Sequence, residues 1–176
     1  MIVAELFAKE HALFRALVDK LELDLARRED RARTDVSDAL RILLPSLDRH
    51  EMIEDIVFRH PPDGADDDHK ALAEVAAQHR KLTGLREEIL FALEQSSEGY
   101  PFAKLRALTA ALINDIRVHL ETEETRLWPL YQGALRRPVE VVVPIHLEKR
   151  AQALEKELSQ GIAAISHTPP VDPEKP

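Results

Sequence analysis

The 176-residue chain contains no cysteine and only five glycines. The absence of cysteine excludes disulfide bonds, thiolate metal sites and cysteine nucleophiles. The shortage of glycine, together with frequent Leu, Ala, Glu and Arg, favours helix over sheet. No apolar run is long enough to cross a membrane, and Glu5, Lys9 and Glu10 interrupt the apolar N-terminus where a signal peptide would lie. We therefore predict a cytoplasmic protein without membrane association.

Basic charge is also in short supply. The chain carries 24 Lys and Arg residues against 32 Asp and Glu residues, which gives a net charge of −8. An acidic chain without a basic stripe has no electrostatic attraction for nucleic acid, so we predict no nucleic-acid partner. The length suits one domain with a core of its own.

Four long segments carry apolar residues at the three- and four-residue spacing of a core-facing helical seam. The fold class is therefore predicted as all-α, an up-down-up-down four-helix bundle. The second helix is expected to begin with Thr34 or Ser37 as its N-cap, and Pro45 is expected to kink it. The predicted helices cover residues 3–28, from 34 or 37 to 60, 69–95, and from 102 to 131.

The remainder of the chain is predicted to form two further parts. The bundle, residues 1–132, is followed by a C-terminal extension, residues 133–164, with a shorter fifth helix over 145–160. The Pro-rich tail, residues 165–176, is expected to be disordered. The extension contains the apolar run Val141–Val143, so we predict that it could bind a protein partner, form a homodimer or cover the bundle.

Polar residues interrupt the apolar seam of every predicted helix. The second and fourth helices each carry a His-xxx-Glu pair, in which both side chains lie on one face, one turn apart. The first and third helices carry a single histidine on the seam. The residues concerned are His11, His50, Glu54, His79, His119 and Glu123.

These residues share one level of the predicted bundle. In an up-down-up-down bundle the starts of the odd helices lie beside the ends of the even ones. At 1.5 Å per residue, His11, His79, Glu54 and Glu123 fall roughly 10–15 Å from the same end. If they were unpaired in an apolar core, each of these groups would cost on the order of several kcal/mol in desolvation. Imidazole and carboxylate ligands without thiolate suit iron, manganese or zinc, so we predict a metal site.

The order of these residues resembles that of hemerythrin-like (HHE cation-binding) domains. The resemblance covers about residues 3–132 and is strongest at His50-xxx-Glu54-Asp55 and His119-xxx-Glu123-Glu124. It implies a non-haem di-iron centre with two iron ions and an oxo or hydroxo bridge. It also implies that Glu54 and Glu123 bridge the two irons, and that the four histidines fill the outer positions.

The third helix departs from the pattern of oxygen-carrying hemerythrins, which have a His-xxx-His pair there. Val75 stands four residues before His79, and Thr83 stands four residues after it. One iron should therefore lack a protein ligand or take a substitute. Glu51 is the best substitute, because the His-Glu-xx-Glu variant resembles the iron-sensing hemerythrin-like domain of a ubiquitin-ligase subunit. Weaker candidates are Asp55, His60 and His69.

Three classes of function remain open at this point. The protein could bind or sense oxygen, nitric oxide or iron; it could react with peroxide or oxygen, or store or donate iron for repair; or its metal could be purely structural. The missing histidine favours a sensor or redox protein with a small diatomic or peroxide ligand. Whether it is an enzyme stays open. Asp55 or Glu124 could hydrogen-bond to a metal ligand.

Overall fold

The computed structural model describes residues 1–59, 66–95 and 100–139. A π-helical turn, Glu123–Leu127, directly continues the fourth helix. The only pairing of strand type in this part of the chain is an isolated bridge between Ile2 and Pro138. None of its helices is both long and apolar enough to span a membrane. The α-helices are α1 (Val3–Leu25), α2 (Glu29–Val57), α3 (Asp66–Glu94), α4 (Phe102–Thr122) and α5 (Gln132–Leu135).

The four long helices pack as a closed bundle. Helix α1 packs against α2 and α4, and α3 packs against the same two helices. The short connections between successive helices place neighbours antiparallel. The predicted all-α four-helix bundle is confirmed, and the short α5 follows it. The fifth helix predicted over 145–160 and the tail predicted after 165 lie outside the described residues.

The connection between α1 and α2 differs from the prediction. Helix α2 begins at Glu29, with Arg28 in extended conformation as its N-cap residue, so the predicted start at Thr34 or Ser37 was wrong. Arg33 forms an ion pair with Glu29 one turn before it, at 3.3 Å. The Ser37 hydroxyl donates to the Arg33 carbonyl at 2.7 Å, as a serine inside a helix does. Thr34 and Ser37, which the sequence suggested as N-cap residues, thus lie inside a longer helix.

Two other boundaries bear on the site. Helix α2 runs through Pro45 without interruption, and the kink there stays a prediction. The fourth helix was predicted to run to Tyr131, but regular α-helix ends at Thr122 and gives way to the π-helical turn. The backbone N–H of Trp128 donates to the carbonyl of Glu123 at 2.8 Å, a bond that spans five residues. π-helical turns of this kind are frequent at functional sites.

The bundle contains two apolar clusters separated by a polar layer. The larger cluster, which includes Phe14 and Leu47, fills the half of the bundle near the α1–α2 connection. The smaller one, which includes Phe7 and Tyr131, fills the opposite half. The rings of Phe7 and Phe14 lie 5.3 and 5.1 Å from the ring of His50, one on each side of the polar layer. Apolar packing therefore fixes this layer from both sides.

The N-terminus is held by the segment after α5. The Val3 N–H donates to the Arg137 carbonyl at 3.1 Å, and the Val139 N–H donates to the Met1 carbonyl at 3.2 Å. Leu135 and Val139 are buried in the smaller apolar cluster. The first residues of the C-terminal extension thus complete the core at the end of the bundle where α1 begins.

Candidate metal centre

Six side chains converge in the polar layer and form two groups that could each hold a metal ion. The first group combines His11 and His50 with Glu54 and Glu123. The Nε2 atom of His11 lies 3.2 Å from Oε2 of Glu123, and that of His50 lies 3.1 Å from Oε1 of Glu54. The four ligand atoms lie within 4.8 Å of one another, close enough to share one ion.

The second group uses the same two glutamates with the other two histidines. Nε2 of His79 lies 3.3 Å from Oε2 of Glu54, and Nε2 of His119 lies 3.1 Å from Oε1 of Glu123. Each glutamate therefore offers one oxygen to each group. This division of oxygens is the geometry of a carboxylate that bridges two metal ions.

The two central carboxylates lack hydrogen-bond partners among the described residues. Glu54 and Glu123 are 1% and 0% exposed, yet none of their four side-chain oxygens has a hydrogen-bond partner of ordinary geometry there. The same holds for Nε2 of His79 and His119. Orphaned buried groups of this kind are costly unless something satisfies them. A metal ion does so, and the donor set of imidazole and carboxylate fits iron, manganese or zinc.

The outer nitrogens of the first pair of histidines are anchored by carboxylates. Nδ1 of His11 lies 2.8 Å from Oε1 of Glu124, and Nδ1 of His50 lies 2.7 Å from Oε2 of Glu10. A proton on Nδ1, donated to the carboxylate, leaves the lone pair of Nε2 free to ligate a metal. The orientation of each ring and its ligating tautomer are thus set by the same contact.

The second pair of histidines has weaker anchors. Nδ1 of His119 lies 3.2 Å from Oε1 of Gln78, whose amide nitrogen donates to the Thr122 hydroxyl at 3.0 Å. Nδ1 of His79 lies 3.7 Å from Oδ1 of Asp55, which is beyond hydrogen-bond distance. All four rings nevertheless point Nε2 inward and Nδ1 towards an acceptor. This common orientation is that of metal ligands supported by their neighbours.

Arginines hold the two anchoring carboxylates in place. Arg49 pairs with Glu10, and both side chains are buried. Arg15 donates to Glu124 at 2.7 Å at the surface. The Arg15 and His11 contacts hold the pKa of Glu124 below its usual value, against the opposing effect of burial. The lowered pKa keeps Glu124 ionised as an acceptor for His11, and the Arg49 contact holds the Glu10 carboxylate against His50.

Without metal, the centre holds protons. Burial disfavours the charged form of His79, but the nearby carboxylates of Glu123 and Glu54 outweigh it and raise its pKa to about 10. Burial likewise opposes charge on His50, yet contacts with Glu54 and Glu10 raise its pKa well above the usual value. The histidines around Glu123 in turn hold its pKa well below normal, despite burial. Only for His119 does burial prevail and lower the pKa. Metal binding must displace these protons.

The π-helical turn contributes two consecutive residues to the centre. Glu123 lies at its first position and points between the two metal groups, while the next residue, Glu124, contacts the far side of the His11 ring. In a regular α-helix, consecutive residues point about 100° apart. Within the π-helical turn, the carboxylates of Glu123 and Glu124 both contact His11, one at each ring nitrogen.

A cavity of about 210 Å³ reaches the centre from the α2–α3 side. The His79 side chain is 14% exposed, whereas those of His11, His50 and His119 are fully buried. Val75 also lines this cavity. The cavity is lined by Glu54, Asp55, Phe58, Arg59, Leu72, Val75, Ala76 and His79. We call it the Val75 cavity, and it is the face on which the second metal group approaches solvent.

Glu51, the predicted substitute ligand, belongs to neither metal group. Its Oε2 accepts a hydrogen bond from Arg86 at 3.3 Å, while its Oε1 is buried without a partner in the described residues. Burial raises the pKa of this carboxyl group, although His79 and Arg86 act in the opposite direction. Its role as a metal ligand stays a prediction. 

The weaker candidates are placed apart from both groups. Asp55 is 75% exposed and faces Nδ1 of His79, and His69 is exposed near the start of α3. His60 lies outside the described residues. None of the described candidates reaches the centre itself.

Glu10 and Gln78 are the contacts that the sequence reasoning missed. For Glu10 a signal was present, because it completes the three-four spacing from Val3 through Phe7 to Phe14 and Leu17, all of which are buried. A glutamate at such a position requires a buried partner. Gln78 gives no comparable signal, because it is half-buried and polar on a helix with many polar residues.

The family comparison agrees with this geometry. The profile of the hemerythrin HHE cation binding domain matches residues 3–131, which include all four long helices and the six converging side chains. No curated protein and no solved structure matches the chain at a significant level. The match covers well over half of the chain. The resemblance inferred from the residues is confirmed: the chain belongs to the hemerythrin HHE cation-binding domain family.

Proposed function

We propose that this protein carries a non-haem di-iron centre of the hemerythrin type. One iron would be held by His11 and His50 and the other by His79 and His119, with an oxo or hydroxo bridge between them. The observation that carries the proposal is the division of oxygens, because Glu54 and Glu123 each direct one oxygen to each group. A single-ion site would not need both oxygens of both carboxylates.

When bound, the iron would supply redox chemistry and an exchangeable position for oxygen, nitric oxide or peroxide. The protein's own residues fix where that position lies and what reaches it. Phe7, Phe14 and Trp128 surround the first pair of histidines; the Trp128 ring lies 4.8 Å from that of His11. Val75 cannot ligate, so the iron at His79 should have room for a small ligand or for Glu51.

We therefore propose a cytoplasmic sensor or redox protein that binds or reacts with a diatomic ligand or peroxide. A purely structural metal site is normally closed by its protein ligands. The Val75 cavity instead brings one of the ligands, His79, to partial exposure. Iron storage or repair is the second candidate, since the same opening would allow iron to enter and leave. A partner or homodimer contact through residues 133–164 belongs to the same proposal.

Metal content tests this proposal. We expect close to two irons per chain after growth or reconstitution with iron, measured by elemental analysis of the purified protein. The Glu54→Ala variant should lose most of both irons because Glu54 belongs to both groups. His69→Ala is the matched control, since His69 is an exposed histidine on α3, and should retain both. Wild-type protein without iron, manganese or zinc after reconstitution would contradict the proposal.

A further inference from the structure

Each histidine of the first pair is anchored by a carboxylate that divides its two oxygens between the ring and an arginine. One oxygen lies 2.8 or 2.7 Å from Nδ1 of the histidine, and the other accepts from the guanidinium group. The arginine offsets part of the negative charge, but it also fixes the carboxylate against the ring. A carboxylate in this position orients the imidazole and makes it a stronger donor to a metal ion. The two sets are His11–Glu124–Arg15 and His50–Glu10–Arg49.

The second pair of histidines lacks such anchors among the described residues. The outer nitrogen of His119 has the neutral amide oxygen of Gln78, at 3.2 Å. The outer nitrogen of His79 lies 3.7 Å from the carboxylate of Asp55, whose side chain is 75% exposed and so screened by water. Hydrogen bonds to a neutral amide are weaker than those to a carboxylate. The rings of the second pair are therefore less strongly supported as metal ligands.

Access to solvent differs in the same direction. The side chains of His11 and His50 are fully buried, and the rings of Phe7 and Phe14 pack against His50. In the second pair, the His79 side chain is 14% exposed and lines the Val75 cavity. An apolar shell around a metal site limits the entry of water, which replaces ligands as they detach. A metal ion at the first pair is thus more enclosed than one at the second.

We propose that the ion held by His79 and His119 is exchangeable, whereas the ion held by His11 and His50 is bound tightly and leaves last. This inference rests on the proposed di-iron centre, and it gives the second candidate function, iron storage or repair, a defined position for the iron that is released. In fully loaded protein both positions are filled, and the difference shows when metal is withdrawn. Release is a ligand exchange without a change of oxidation state, in which ligand atoms of the acceptor replace imidazole nitrogens and carboxylate oxygens.

The test withdraws iron from fully loaded, anaerobically reduced protein with an excess of a chromogenic ferrous chelator. We expect two phases of one iron each, with rates that differ about tenfold or more, since outer partners of this kind change metal affinity by about 10–100-fold. Trp128 identifies the ion that leaves last, because its ring lies 4.8 Å from that of His11. Most of the tryptophan fluorescence that bound iron quenches should therefore return in the slow phase.

Exchanging the anchors tests whether they cause the difference. Glu124→Gln gives His11 the kind of anchor that His119 has, and it should speed the slow phase several-fold while leaving the fast phase unchanged. Gln78→Glu makes the opposite change at His119 and should slow the fast phase. Glu121→Gln is the matched control, because it neutralises an exposed glutamate that lines the same surface cleft as Glu124. It should leave both rates at their wild-type values.

Glu124 is the better anchor to change, since its partner Arg15 is 47% exposed, whereas loss of Glu10 would leave the buried Arg49 without its carboxylate. Protein that holds two irons but releases both in one phase, or recovers its fluorescence in the fast phase, would overturn the inference and leave the proposed function intact. Two phases that respond to neither anchor variant would overturn the role of the anchors. Protein that takes up no iron would overturn both the inference and the proposed function.

Discussion

Removing the metal should lower the melting temperature by roughly 10 °C or more. A ligand present at a thousand times its dissociation constant stabilises the native state by about 4 kcal/mol. For a chain of this size, each kcal/mol moves the melting temperature by about 2–4 °C. The metal-free protein should still fold, because protonated His50 and His79 pair with Glu54 and Glu123 in the metal-free centre.

The measurement is thermal unfolding with and without a chelator, followed by circular dichroism. The single tryptophan provides a second signal, since the Trp128 ring lies 4.8 Å from that of His11 and bound iron should quench its fluorescence. Glu54→Ala serves as the control, because a variant without the bridge should melt at one temperature regardless of chelator. A wild-type melting temperature that does not respond to chelator would show that the metal is not what satisfies this polar layer.

The Val75→His variant should slow the oxidation of reduced, iron-loaded protein by air about tenfold, a change of about 1.4 kcal/mol in activation free energy. In the wild type, Val75 cannot ligate, so the position beside His79 is open and oxidation should outrun reversible oxygen binding. Val75 lines the cavity one turn before His79, so an imidazole there has both the space and the direction to close that position. The prediction requires that Glu51 does not already fill it.

Stopped-flow absorbance after anaerobic reduction measures this difference. Val118→His adds a histidine at an exposed position and should oxidise at the wild-type rate. The Glu51→Gln variant tests the condition on Glu51, whose buried Oε1 has no partner in the described structure. If Glu51 is a ligand, its removal should speed oxidation. Reversible oxygen binding by the wild type, with the oxygen released intact under vacuum, would contradict the prediction.

The convergence of six side chains could be predicted because it depends on only two regularities of the sequence. The spacing of His50 and Glu54 places both on the core-facing seam, and the distance of each polar residue from its helix end places all of them at one level. Both regularities survive errors of several residues in helix boundaries. The wrong start of α2 shows this, since it moved a boundary at the opposite end of the bundle and left the centre unaffected.

The supporting contacts could be predicted only in part, since Glu124 was a candidate partner of a metal ligand but the sequence did not indicate which ligand it contacts. The contact between Glu124 and His11 joins residues on different helices at the π-helical turn, and a π-helical turn leaves no mark on hydrophobic spacing. The Val75 cavity depends on how α2 and α3 pack around one missing imidazole. The sequence shows that position 75 carries valine and not histidine, but only the packing of α2 against α3 shows that a solvent-accessible cavity lies there.

The central claim is that two irons are bridged by Glu54 and Glu123, and Mössbauer spectroscopy of protein enriched in ⁵⁷Fe tests it most directly. In the oxidised state we expect nearly all iron in antiferromagnetically coupled pairs, with no electron paramagnetic resonance signal from isolated ferric ions. Each carboxylate offers one oxygen to each metal group, so both irons should bind together and couple through the bridge. A spectrum dominated by magnetically isolated ferric ions, in protein that retains its iron, would contradict the account.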